Sequence, residues 1–445
     1  MPADSDFTPP PPRQSGPGLP TVTPPSGLMV LRMFVVPAAI VAVLVLLFLA
    51  GQPLYDWIGR LAGRPSGETR SAEQFLRDLD NGNPEVRWRA ASDLGQVLLR
   101  DPKLASDTRF ALKLGDRLQQ ALGASAAAEE SYAKRVGSLP ADEARKELQK
   151  LEAERSYVQY LTACLGNFMV PVGAPLLKDL ALRQEGQTAE ALAERRRQTL
   201  WAIANLGQNL NRFDGLPAER QDEVLKDLES ALEQGDHVTW CRAALDYLRD
   251  RRSGRANALG VDKVLETCAA SDDPLLRELA ALAMNFWYGS DAENARMNKA
   301  LLRLTTDDGR GEDKQAQLVE KDDSVPTRSL TTKPGSKVQA NAVIALARRG
   351  CPEVPLNLLE MMLSPDELRR TFVLQPKKGG PDRPDEGLVY VTVTNALKAV
   401  TALHKKCPRL DLSGLRPAVD KLTQDNNPAV QVEAQATQQA LQGAK

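Results

Sequence analysis

The chain has 445 residues, 42% apolar and 26% charged, room for two or three ordinary domains or one long repeat array. Lys plus Arg number 57 against 58 Asp plus Glu, so the net basic balance of a protein that grips phosphate backbones is absent, and nucleic acid is not expected as a partner. Five scattered cysteines (Cys164, Cys241, Cys268, Cys351, Cys407) have no C-x-x-C or zinc-finger spacing and read as reduced, core-filling thiols.

Residues 1–27 are rich in proline and poor in apolar side chains. Proline offers no backbone donor and favours extended chain, so this tail is expected to be disordered. Residues 28–51 follow as a transmembrane helix, its centre Met33–Ala50 free of charge. At 1.5 Å per residue that centre spans roughly 27 Å, close to the hydrocarbon thickness of a bilayer. Arg32 can snorkel at one end, and Tyr55 and Trp57 suit the aromatic belt at the other. A cleaved signal peptide fits less well, because the apolar run is too long and Phe48-Leu49-Ala50 is a poor cleavage site. Arg60, Arg64 and Arg70 after the span outweigh Arg32 before it, which favours a cytoplasmic C-terminal domain. Residues 52–70 read as a juxtamembrane linker.

From residue 71 the pattern becomes helical. Asn83-Pro84-x-Val86-Arg87-x-x-Ala90-x-x-x-Leu94-Gly95 returns as Asp273-Pro274-x-Leu276-Arg277-x-x-Ala280. A capping side chain, a proline in the first turn and apolar residues at i, i+4 and i+8 specify a helix with one buried face. Val338, Ala342 and Leu346 keep that face, as do Pro428, Val430 and Ala434. Weaker copies bring Ala202, Leu206 and Gly207, then Val238, into the series. Positions 198, 238 and 276 stand about 40 residues apart, the length of two helices with their turns. Residues 140–166 read as one long amphipathic helix with Leu148, Leu151, Val158 and Leu161 along one side.

These motifs resemble the HEAT-like α-solenoids. The resemblance implies an all-α fold of stacked helical pairs over 71–304 and 337–445, preceded by the one transmembrane helix. It also implies a structural ladder between layers, with Asp273 serving Arg277 and Asn83 serving Arg87. Gln339 and Gln431 replace the arginine, so the last layers are atypical, and the final one is expected to be a cap with a polar outer face. Two segments leave the pattern: 305–336, and 375–387 within the second block, both polar and rich in breakers, read as loops. "LVYVTVT" at 388–394 has strand composition, but its continuation has helical spacing, so it is read as helix.

Chemistry-bearing motifs are scarce. His237 and His404 lie far apart, neither at metal-ligand spacing from another His or Cys. No Walker A, dinucleotide, H-E-x-x-H or G-x-S-x-G pattern occurs. No enzyme activity, cofactor, metal or small-molecule substrate is therefore expected. The most basic stretch holds Arg249, Arg251, Arg252 and Arg255, with Arg195–Arg197 as a second run. A helix end facing its own dipole explains the first; the sharper reading is an interaction patch for an acidic partner or anionic lipid. The expected function is a protein-binding scaffold or adaptor held in the membrane by residues 29–51. The alternative is a structural or accessory subunit of a larger membrane complex.

Overall fold

The computed structural model describes residues 70–183, 189–254, 257–312, 327–377 and 380–443. The tail, the apolar span at 28–51, the linker up to residue 69 and Arg255 lie outside them. No described helix is long and apolar enough to cross a membrane.

Three helices begin as the motifs dictate. The side chains of Asn83, Asp273 and Asn427 each accept the backbone N–H two residues on at 3.0 Å, with proline at the first helical position. In chain order the helices of seven residues or more are α1 (Ala72–Leu79), α2 (Pro84–Arg100), α3 (Thr108–Arg135), α4 (Ala141–Gly166), α5 (Ala174–Leu182), α6 (Ala189–Asp214), α7 (Ala218–Glu233), α8 (Val238–Arg252) and α9 (Val261–Ala269). Then come α10 (Pro274–Met284), α11 (Asp291–Leu304), α12 (Ser336–Arg349), α13 (Leu356–Met362), α14 (Pro365–Thr371), α15 (Glu386–Lys406), α16 (Arg416–Leu422) and α17 (Pro428–Gln442).

One row runs through residues 71–445: α2, α4, α6, α10, α12, α15 and α17 each pack on the next. A second row supplies each with a partner from just before it in the chain: α1 on α2, α3 on α4, α5 on α6, α9 on α10, α11 on α12, α14 on α15 and α16 on α17. This is an α-solenoid. Ala90, Leu94, Ala202, Leu206, Ala280, Ala342, Leu346 and Ala434 are buried where the layers meet, because small residues let helices approach while Leu fills the gaps. Two glycines show how close the approach is. A Cβ on Gly166 would fall 2.5 Å from the carbonyl oxygen of Ala202, and one on Gly207 would fall 2.6 Å from the indole nitrogen of Trp287. That nitrogen donates to the Ile203 carbonyl at 2.8 Å.

The structure corrects three expectations. First, α8 is not a layer of the row. α6 packs directly on α10, while α7 and α8 form a hairpin that leans on α3, α5 and the turn Pro171–Gly173. Val238 is 41% exposed; α8 buries Cys241, Ala244, Leu245 and Leu248 instead. Its alanines are one residue out of register, which turns a different face inward. Second, the two segments read as loops meet in a sheet, so the α-solenoid carries three strands among the described residues. β1 (Thr327–Thr331) pairs antiparallel with β2 (Phe372–Pro376), from Thr327↔Pro376 to Thr331↔Phe372, and β2 pairs with β3 (Arg383–Pro384). Strands this short carry little pattern of their own, and Pro384 is tolerated because β3 is an edge strand. Third, Leu148 is exposed; Leu151, Val158 and Leu161 alone form the buried stripe of α4.

Residues 388–394 are helical within α15, whose first turn is capped by Asp385 through the Leu388 N–H at 3.1 Å. The exposed side of α17 is uncharged, with Ala429, Val432, Gln435 and Gln439.

Candidate functional site

The repeat-motif residues build a ladder that differs from the expected one in its pairing. Asp273 spends one carboxylate oxygen on its own helix start and gives the other to Arg197 of α6, at 2.8 and 3.0 Å. Arg277 sits one turn further in and reaches past Asp273 to Asp307, at 2.6 and 2.9 Å. Its remaining N–H groups donate to the carbonyls of Ser271, Asp272 and Arg310 at 3.0–3.1 Å. All five guanidinium donors are thereby used in a pair whose side chains are 1% and 5% exposed. Gln339, where the next arginine would stand, donates to the Asp307 carbonyl at 2.7 Å, so the ladder ends in a neutral rung. Arg87 likewise ignores Asn83; it pairs with Glu154 of α4 and lies 5.1 Å from the centre of the Tyr157 ring. Asn83, Pro84, Pro274, Ala90 and Ala280 remain as capping and packing residues.

The basic stretch on α8 is folded into the protein's own ion pairs. Arg249 meets Glu229, Arg252 meets Asp222 at 2.6 Å, and Arg251 grips Asp214 at 2.6 and 2.8 Å. Arg251 also bonds Asn211 at 2.8 Å and the Tyr247 hydroxyl at 3.0 Å. Of the second run, Arg197 serves the ladder, Arg196 donates to the Arg183 carbonyl at 3.2 Å, and burial lowers the pKa of Arg195.

Among the described residues neither histidine belongs to a group of three or more His, Cys, Asp or Glu that could hold a metal ion. His237 starts α8 in the left-handed region, with its Nε2 3.1 Å from Asp116 and its ring 5.0 Å from that of Trp240. Burial pushes the Cys241 and Cys268 thiols up to about 11 and Cys351 to about 12. Thiols so placed stay protonated at neutral pH and are poor nucleophiles.

What the array offers is surface. A cleft of about 680 Å³ opens between the start of α2 and the α3–α4 hairpin, with Pro84, Trp88, Arg135, Lys146 and Lys150 on its walls. A second, of about 410 Å³, lies beyond the end of α15, between Pro352, Lys406, Pro408, Arg409 and Leu410. Between them along the row, α6 exposes Glu194, Trp201 and Gln208 at seven-residue intervals, Trp201 being 50% exposed. The sequence motifs drew attention to neither Trp201 nor Asp307. The signal for Trp201 was its place one residue before the buried Ala202, which turns an aromatic ring outward.

No family model matches the chain, and no curated protein matches it. Among solved structures it is similar to a designed armadillo repeat protein at 14% identity and a TM-score of 0.29, over 83% of this chain and all of that one. A crystal structure of an engineered protein is similar at 13% identity and a TM-score of 0.30, over 84% of this chain and all of that one. The solenoid assignment rests on the packing of this chain's own helices.

Proposed function

We propose that this protein is a membrane-anchored scaffold that binds other proteins along its solenoid, with residues 29–51 in the bilayer and the solenoid on the cytoplasmic side. The observation that carries the binding role is the continuous row α2–α4–α6–α10–α12–α15–α17, which leaves an extended face rather than a closed chamber. Trp201 stands out as half exposed, since tryptophan, with tyrosine and arginine, is enriched at the energetic centre of interfaces. The anchor is supported by the charge-free run Met33–Ala50.

A photo-crosslinker placed beside Trp201, at Gln198 or Asn205, tests the binding role in cells. Specific adducts that fall about tenfold with Trp201→Ala support it; equal adduct yield from the variant removes the proposed face. Carbonate extraction of membranes tests the anchor, which predicts that the chain stays in the pellet. Protease accessibility in spheroplasts tests the sidedness, and digestion of the solenoid from outside would reverse it.

A further inference from the structure

Three helix C-termini converge on Tyr288. Arg349, the last residue of α12, donates to Asn298 and Asn294 at 2.7 Å, to the Met284 carbonyl that ends α10 at 2.9 Å, and to the Trp287 carbonyl. Arg348 donates to Asn395 at 2.8 Å. Lys406, the last residue of α15, donates to the Arg348 carbonyl at 2.8 Å and the Tyr288 hydroxyl at 3.2 Å. Its Nζ lies 4.4 Å from the centre of the Tyr288 ring, and the Arg349 guanidinium lies 5.3 Å from it. Arg409 shares the 410 Å³ cleft with Lys406.

Every partner in this cluster is neutral. Elsewhere Arg87, Arg197, Arg251, Arg277, Arg296 and Arg369 each meet a carboxylate. Among the described residues Arg348, Arg349, Lys405, Lys406 and Arg409 form no ion pair. Of the neighbouring acids, Glu433 lies 3.7 Å from Lys398 and acts on Arg348 only from a distance, and Glu353 accepts from the Cys351 thiol at 3.0 Å. Helix dipoles account for part of the arrangement, yet three C-termini supply only about half a negative charge each. Burial lowers the Arg349 pKa to about 10, which leaves it charged at neutral pH.

We infer that the ends of α12 and α15 form a docking site for an acidic peptide segment of a partner protein. The inference rests on the scaffold proposal and names the chemistry of its partner. Charge complementarity selects an anionic ligand, and shape selects a peptide. Arg348 and Arg349 are recessed, Lys405 is exposed at the end of α15, and Lys406 and Arg409 stand exposed on a cleft walled also by Pro352, Pro408 and Leu410. A carboxylate on an extended chain can enter such a cleft; the flat face of a bilayer meets only the protruding cations.

The test uses the full chain in detergent and a short fluorescent peptide of alternating Glu and Ser, with its Gln-for-Glu counterpart, read by anisotropy at low salt. The Glu peptide binds, and the Gln peptide binds at least about tenfold more weakly. The double variant Lys406→Glu, Arg409→Glu, both exposed positions, loses about tenfold or more in affinity, whereas Lys134→Glu, Lys226→Glu, exposed on α3 and α7, binds like the wild type. An unchanged unfolding midpoint shows that the double variant is folded. Equal binding of the two peptides, or full binding by the double variant, overturns the proposal. Sedimentation with phosphatidylserine-containing vesicles that depends on Lys406 and Arg409, without peptide binding, replaces it with a membrane contact. Full competition by millimolar inorganic phosphate replaces it with a small-anion site, and self-association lost in the double variant replaces the partner with a second copy. Loss of peptide binding with crosslinking beside Trp201 intact sinks this inference and spares the scaffold.

Discussion

The end of α8 and the ends of α12 and α15 carry similar cations and use them in opposite ways. Beside α8, the hairpin lays the acid-rich α7 alongside, so Glu229 and Asp222 of α7 and Asp214 of α6 neutralise Arg249, Arg252 and Arg251. Around Tyr288 the neighbours present Asn294, Asn298, Asn395 and backbone carbonyls. A basic run in a sequence is therefore not yet a basic surface; the helix packed against it decides.

Substitutions can sharpen or break that contrast. The largest effect belongs to the most completely paired cation. Arg277→Met leaves Asp307 buried without its partner and should cost about 3–5 kcal/mol in urea unfolding; a loss under about 1 kcal/mol would show that the ladder is incidental. Arg251→Ala removes a guanidinium that binds α8 to the end of α6, and its partner Asp214 is half exposed, so a cost of about 1 kcal/mol is expected. Glu278 is the mirror image of the Tyr288 cluster, an acid that forms no ion pair among the described residues and feels Lys337 only from a distance. Burial raises its pKa above the ordinary value of a free glutamate. The folded state then holds this proton more tightly than the unfolded state, so stability falls as pH rises from that value through the folded pKa. Glu278→Gln should stabilise the protein at neutral pH and make no difference below that window, as a pH series of urea midpoints would reveal. Arg252→Ala breaks an exposed pair and should change stability by no more than about 0.5 kcal/mol. Smallest of all, Lys406→Gln should leave the midpoint unchanged while weakening acidic-peptide binding.

The layer-forming residues were plain in the sequence because a single turn sets them. Asn83-Pro84, Asp273-Pro274 and Asn427-Pro428 start helices, and the alanine seven residues after each cap (Ala90, Ala280, Ala434) faces inward. The pairings were hidden because they are tertiary: Asp273 is claimed by Arg197 from the preceding layer, and Arg277 passes it to claim Asp307. The displaced alanines of α8 were visible as an irregularity, but only packing shows that an irregular copy stands outside the row. β1 and β2 were unreadable as strands since each needs the other, and α12, α13 and α14 lie between them in the chain. The Tyr288 cluster was divided in the same way, between residues 348–349 and 406–409.

That strand pairing has a mechanical consequence. Tension applied through the chain ends would enter β1 at Thr327 and, once β3 had peeled away, leave β2 at Pro376. These two residues are direct partners in the antiparallel register. The load would thus fall on one rung at a time, as in a zipper, instead of on all rungs together in shear. The sheet is a latch across the foot of the α12–α14 segment, one that yields rung by rung while the packing of α12 on α10 and α15 still holds that segment in the row.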